Sequence, residues 1–213
     1  IMDEYGVSSL AAKAVASRLS KIREYELFEE DYTLRSPFEL MDMQDAVDRI
    51  NLAVDEEKKI LVYGDYDADG VCATAILYSY LEVMGADVEF YIPTREEGYG
   101  LNYDAIDEFS KKGVNLIVTV DNGVSAVEEI EYAKSLGIEV VVTDHHMPQQ
   151  TLPDCIVVDP HRKDCPSKFK EICGAFVALK LVAALEGGEY EMVIEQYGDL
   201  AAIATLGDVV PLV

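Results

Sequence analysis

Basic residues are scarce in this chain: 17 Lys and Arg stand against 41 Asp and Glu, a formal net charge of −24 over 213 residues. Taken alone, that balance argues against a nucleic-acid binder, because phosphate recognition wants a basic footprint. Long apolar runs are lacking too. No uncharged stretch reaches the ~18 residues a membrane span needs, so no membrane partner is expected. The first thirty residues are rich in charge and hold no compact apolar core, so they are not expected to be a secretory signal peptide. Cysteine is sparse, and Cys72, Cys155, Cys165 and Cys173 form no C-x-x-C pair. Free thiols in a cytoplasmic protein are the simplest expectation. Histidine occurs only three times, and two of the three are adjacent.

What is present suits one α/β domain with a helical extension: 50% of the residues are hydrophobic and 27% charged. The few cations are uneven. Residues 13–23 carry Lys13, Arg18, Lys21 and Arg23 without an acid, and residues 161–170 carry Arg162, Lys163, Lys168 and Lys170 against Asp164. Each run is either a solvated surface or a phosphate-facing patch. The chain opens on Ile and closes on GDVVPLV, an apolar strand-like run, and is expected to be a piece of a longer protein.

Apolar residues at helical spacing predict an amphipathic helix over 8–19 and, after an irregular linker, a second starting at Ser36-Pro37 with Leu40, Met43, Ala46, Val47, Ile50 and Val54 on its apolar face. From residue 59 the pattern changes to strands at 59–64, 87–92, 115–120, 138–143 and 155–158, alternating with helices at 71–85, 102–113 and 125–137. Two further helices follow at 174–186 and 189–206. The fold class expected is α/β, a mostly parallel sheet of about five strands with helices on both faces. The domain reading is a helical extension over 1–54 packed on a core of 55–213.

In such sheets ligands bind beyond the C-terminal strand ends. Three strands run into chemically loaded tips there: Asp65, Asp67 and Asp69 followed by Gly70, then Asp121-Asn122-Gly123, then Asp144-His145-His146. Three carboxylates within five residues repel one another and call for a cation. A calcium EF-hand begins with the same D-x-D-x-D-G, but it needs Glu at position twelve, where Ile76 stands, and a helix before the loop, where a strand is expected. A phosphatase with an Asp nucleophile also places D-x-D after a strand, but leaves the DHH tip unexplained. Mixed imidazole and carboxylate donors suit Mn²⁺, Zn²⁺ or Fe²⁺ better than Ca²⁺. Carboxylates that bridge two ions ~3.5–4 Å apart clamp both oxygens of an in-line phosphoryl displacement, so hydrolysis of a phosphoester or phosphoanhydride is the reaction class expected.

GDYDADG, DNG, DHH and GDVVPL, in that order, resemble the four motifs of the DHH phosphoesterase superfamily, over roughly residues 30–213. Within it, the GDYDADG form, SPFELMDMQDAVDRI, IPTREEGYGLN and CGAFVALKL resemble the branch of single-stranded-DNA exonucleases. Relatives acting on small nucleotides or pyrophosphate carry H-x-x-P-D-x-D instead. The resemblance implies Asp67 and Asp69 as metal ligands, Asp121 as a bridge between two divalent cations (Mn²⁺, with Mg²⁺ as substitute), His145 as the imidazole ligand and Asp208 as the last ligand. It implies Asp144 as the residue that orients the imidazole, and His146 facing the scissile phosphate as hydrogen-bond or proton donor. Arg95, Tyr99 and Gly100 lie in a segment similar to the family's substrate-contacting loop, and His161 and Arg162 are candidate phosphate contacts. One departure stands out: where many relatives place a His four residues before the D-x-D pair, this chain has Tyr63, and Asp65 is the candidate to fill that ligand role.

The resemblance therefore implies a 5′-to-3′ exonuclease on single-stranded DNA, working in repair and recombination. A monomer is expected, and this stretch by itself is expected to bind DNA weakly, because nothing in it resembles the family's second domain or a nucleic-acid-binding barrel. A phosphodiesterase of short oligonucleotides or cyclic dinucleotides, and a non-catalytic replication scaffold, are the alternatives.

Overall fold

The structure is a computed structural model that describes residues 34–211, of which Ser36–Val210 form one compact unit. The helix expected over 8–19, the basic run 13–23 and most of the linker lie outside the described residues. A single 3-10 turn at Pro37–Glu39 leads to α1 (Met43–Asp55), β1 (Ile60–Tyr63), α2 (Ala68–Val83), β2 (Val88–Tyr91), α3 (Tyr103–Lys111), β3 (Leu116–Val120), α4 (Val127–Ser135), β4 (Glu139–Thr143), β5 (Ile156–Val158), α5 (Gly174–Leu185) and α6 (Glu191–Gly207).

The five strands form one wholly parallel sheet in the order β2-β1-β3-β4-β5. The strands are short and mostly β-branched, and β1, β3 and all but the first residue of β4 are buried, as in strands covered on both faces, whereas the edge strand β2 is only partly buried. Alternate residues feed two cores. Ile60, Val62, Val118 and Val141 pack with α1, α2, α5 and α6, and Leu61, Tyr63, Ile117 and Val142 pack with Ile106 of α3 and Ile130 of α4. Helix α5 is apolar nearly all round and buried along almost its whole length, between α2, α6 and α1. Among the described residues no helix is long and apolar enough to cross a membrane.

Three local expectations are corrected. The helix expected from Ser36-Pro37 is broken: the chain turns through Asp42, whose φ of 61° is left-handed, and α1 begins only at Met43. The break is held from outside, because the Asp42 carboxylate accepts from Val157 N (3.3 Å) and from the Arg162 guanidinium. At the first acidic tip the helix begins earlier than the spacing suggests. Asp67 caps it, accepting from Gly70 N at 2.9 Å, so Asp69 sits in the first turn of α2 and not in a loop. The apolar run from 208 is no strand over its described residues 208–211: Asp208 ends α6 and Val209 takes a left-handed φ of 56°.

Candidate metal centre

Strand β1 pairs with β2 on one side and β3 on the other, so the loops after β1 and β3 open onto the sheet's switch point. The parallel ladder then continues one step past the strands. Asp121 N donates to Thr143 O and Asp144 N to Val158 O, both at 3.0 Å. Because Val120 pairs with Thr143 and Thr143 with Val158, Asp121, Asp144 and Asp159 stand side by side, each the first residue after its strand.

Two groups of donors that share no residue gather on this edge. Asp65, Asp67 and Asp121 each offer a carboxylate oxygen within 4.8 Å of the others, and Asp69, His145 and Asp208 form a second such group; Asp121 and His145 also form one with His146, which overlaps both. Asp121 links them, with its Oδ1 3.1 Å from His145 Nε2. His145 Nε2 also lies 3.6 Å from Asp69 Oδ2, and its Nδ1 3.9 Å from Asp208 Oδ2. The donors fit divalent cations on a concrete ground: Asp65 Oδ1 and Asp121 Oδ1 are buried and accept no hydrogen bond. A buried, unpartnered carboxylate oxygen is costly unless a cation takes it. Burial, reinforced by the charges of Asp69, Asp144 and Asp67, pushes Asp121 up to about 10. Burial likewise raises Asp65 and Asp208. Asp121 also holds a left-handed φ of 62°, a conformation that disfavours a residue with a Cβ and is tolerated where the surroundings enforce it.

Asp69 has a second task. Its oxygens accept from Gly174 N (2.6 Å) and Ala175 N (2.7 Å), the free donors at the start of α5, where Cys173 supplies no side-chain cap. The first motif is thereby bolted to the most buried helix. Close approach explains two glycines. A Cβ on Gly70 would lie 2.6 Å from the Asp65 backbone oxygen, and one on Gly174 would lie 2.4 Å from Asp121 Oδ1.

At the DHH tip Asp144 is buried and fully used. Its Oδ1 accepts from His145 N (2.7 Å), His146 N (3.1 Å) and His146 Nδ1 (2.7 Å), and Oδ2 from Val124 N (2.9 Å). Burial opposes its ionisation, but the His146 hydrogen bond and charge and the backbone donors outweigh it, and its pKa falls below the usual value. The same hydrogen bond raises His146. The ring that Asp144 orients is thus that of His146; the ring of His145 is set among Asp69, Asp121 and Asp208. Asp144→Asn should turn an amide nitrogen toward a buried N–H donor, cost about 1–3 kcal/mol of stability and lower kcat about 100-fold, measured at saturating Mn²⁺ at a temperature where the variant is folded.

The remaining candidates divide. Tyr99 lies at the site, its hydroxyl 3.3 Å from Asp121 O and 3.1 Å from His146 Nδ1. Gly100 follows at a φ of 82°. The Arg95 guanidinium rests 5.1 Å above the Tyr66 ring, beside the first acidic tip. His161 sits behind the DHH tip, its Nδ1 donating to His145 O at 2.6 Å. Arg162 is a correction. Its guanidinium is buried and donates to Asp164 (3.0 and 2.8 Å), to Val157 O (2.5 Å) and to Asp42, so it holds β5 to the loop before α1 and is not available to a phosphate.

Tyr63, the departure from the family pattern, is buried and its hydroxyl is engaged by the loop and not by a carboxylate, donating to Gly100 O (3.0 Å) and accepting from Asn102 Nδ2 (3.1 Å). It tethers the loop that carries Tyr99. Tyr63→Phe should raise KM about fivefold and leave kcat nearly unchanged, because both neutral hydrogen bonds that hold the loop are lost; steady-state kinetics would separate the two. Asp159 is the residue that sequence reasoning missed. It is buried, accepts from His161 N (2.6 Å), leaves Oδ2 unpartnered and is pushed up to about 7 by burial. The signal was available, since Asp159 follows its strand as Asp121 and Asp144 follow theirs.

The fold and this edge define a class: an open parallel α/β domain, covered on both faces, with carboxylate and imidazole donors collected at its switch point for divalent cations. Residues 59–205 match the family model described as DHH family, N-terminal domain, and the chain belongs to that family. A single-stranded-DNA-specific exonuclease RecJ from Bacillus subtilis (strain 168) is 45% identical over 188 residues, which cover 87% of this chain and 23% of that protein. A crystal structure of exonuclease RecJ bound to manganese superposes with a TM-score of 0.73 at 40% identity, over 81% of this chain and 44% of that one. RecJ of Thermus thermophilus in complex with Mn²⁺ does so with a TM-score of 0.74 at 35% identity, over 100% and 30%. The chain thus spans less than half the length of each of these relatives.

Proposed function

We propose that this domain carries the metal-dependent catalytic centre of a 5′-to-3′ exonuclease acting on single-stranded DNA. The observation that carries the reading is the buried Asp121 Oδ1, which accepts no hydrogen bond and is set between two donor groups, in a chain whose relatives are named single-stranded-DNA-specific exonucleases. Asp65, Asp67 and Asp121 would hold one divalent cation and Asp69, His145 and Asp208 the other, with Asp121 shared; Mn²⁺ suits this donor set. The bound ions would supply charge neutralisation on the scissile phosphate and acidify the attacking water.

The chain's own residues do the rest. Asp144 fixes the His146 ring and holds a proton on its Nδ1, which directs the ring's other nitrogen to the leaving oxygen as hydrogen-bond or proton donor. Tyr99 keeps that ring in place by its edge contact, with centroids 5.5 Å apart. Arg95 is placed to meet a phosphate near the first tip. The protein is read as a cytoplasmic monomer, a compartment consistent with four free thiols.

The test uses the intact protein with Mn²⁺ and 5′-phosphorylated single strands, matched duplexes and dinucleotides. Stepwise release of mononucleotides from the 5′ end of single strands is expected. Preference for dinucleotides would transfer the domain to the small-substrate phosphodiesterases, and no turnover of any phosphoester would favour a scaffold.

A further inference from the structure

Beside His146 opens a cavity of about 310 Å³ whose lining shares His146 and Asp144 with the DHH tip but includes none of the proposed metal ligands. We propose that it seats the nucleobase next to the scissile phosphate, and that the Glu129 carboxylate selects bases with amino donors, guanine above all. The proposal rests on the single-strand hydrolase reading above.

Size, walls and charge point the same way. The volume lies at the lower end of small-molecule sites, room for one nucleoside. Leu101, Val124 and Ala126 give apolar walls, and the half-exposed Tyr99 ring gives a flat face on which any base can stack. No Lys or Arg lines the cavity, and it holds the carboxylates of Glu129 and Asp144. A phosphate is repelled from such a place, whereas a neutral planar ring is not. The phosphate then belongs at the acidic edge with its cations, and the base in the adjoining slot.

The polar groups left over set the preference. Asp144 is saturated by backbone and imidazole donors. Ser125 Oγ and the Glu129 carboxylate, by contrast, line the cavity and make no hydrogen bond or ion pair with any of the described residues. A carboxylate pairs best with two adjacent donors. Guanine offers these in its ring N–H and exocyclic amine. Adenine and cytosine offer one amine each. Thymine offers a single imide N–H flanked by two carbonyls that the carboxylate repels.

The experiment has two arms, both with the intact protein and Mn²⁺. In the first, 5′-phosphorylated oligothymidine starting with a single guanine competes with plain oligothymidine for hydrolysis. In the second, dGMP and dTMP are titrated by calorimetry, which needs no turnover. Guanine is expected to win by about tenfold in both, the worth of one charge-assisted hydrogen bond. Glu129→Gln should shrink both ratios to roughly twofold or less, and Glu129→Ala serves if the Gln variant melts early. Equal handling of the two bases by the wild type, or a guanine preference that survives in the variants, overturns the proposal. Hydrolysis that fails for every single strand tells against the exonuclease reading instead, and the calorimetric arm still decides the base preference.

Discussion

Asp121→Asn should leave the protein folded, make its metal-free form more resistant to heat, and lower metal-dependent hydrolysis by about a thousand-fold or more. The two effects have one origin. Asp121 is buried beside Asp69, Asp144 and Asp67, and its folded pKa lies near 10, far above the ordinary carboxylate value. Between those two values the unfolded chain carries the charge and the folded chain binds a proton. Wild-type stability therefore falls as pH rises through that window. Asp159, pushed up to about 7, adds the same slope at the lower end. His146 adds to it too: its folded pKa is raised, so its contribution is complete below ~6.5 and is lost as pH passes the folded value. Asp144, whose pKa is lowered, contributes above ~3.8 and acts only in acid. In chelator the wild type should accordingly melt higher at pH 6 than at pH 8.5. Asparagine removes the largest of these terms, on the order of 2 kcal/mol at neutral pH, and flattens the profile. Mn²⁺ should reverse the order, since a ligand at about a hundred times its Kd adds ~2.7 kcal/mol to a fold that binds it and nothing to one that cannot. Thermal melts at both pH values, with and without Mn²⁺, check all of this. A variant that melts below wild type in chelator, or that still gains from Mn²⁺, would remove Asp121 from the centre of the site.

Much of this was legible in the sequence because the chemistry is carried by residues directly adjoining strands. A short β-branched run that ends on Asp needs no tertiary information to be placed at the C-terminal edge of a parallel sheet. Asp121 and DHH were found that way, and so could Asp159 have been. The same logic gave the five strands and the helices between them. What stayed hidden depends on partners distant in the chain. Nothing near Arg162 announces that Asp42, 120 residues earlier, takes its charge. The residues around Asp42 follow helical spacing, and the contacts that hold the break there come from Arg162 and Val157, far along the chain. Tyr63 could be noted as a departure from the family pattern, but its bond to Gly100 is invisible without the fold.

Gly174→Ala shows how tightly the site is tied to the core, and should cost about 3 kcal/mol together with most of the metal affinity. The added Cβ would stand 2.4 Å from Asp121 Oδ1, 2.6 Å from its Cβ and 2.7 Å from its Cγ. Neither side can withdraw cheaply. Asp121 is pinned by its N–H to Thr143 O and by its left-handed backbone, and helix α5 is enclosed by α2, α6 and α1. If α5 moves back, Gly174 N and Ala175 N leave the Asp69 carboxylate, and a member of the other donor group is displaced as well. One methyl group thus disturbs both groups, although Gly174 itself offers no side-chain donor. The melting midpoint should fall by about 10 °C, and activity by about 100-fold even where the protein is fully folded, because ligands shifted by an ångström no longer present the same geometry. Gly113→Ala is the matched control. Its φ of 82° makes the methyl unwelcome, but nothing lies within 4 Å of the new Cβ. That change should cost about 1 kcal/mol and leave Mn²⁺ binding intact. If the Gly174 variant bound Mn²⁺ as tightly as the Gly113 variant, the coupling between α5 and the carboxylate edge would be refuted.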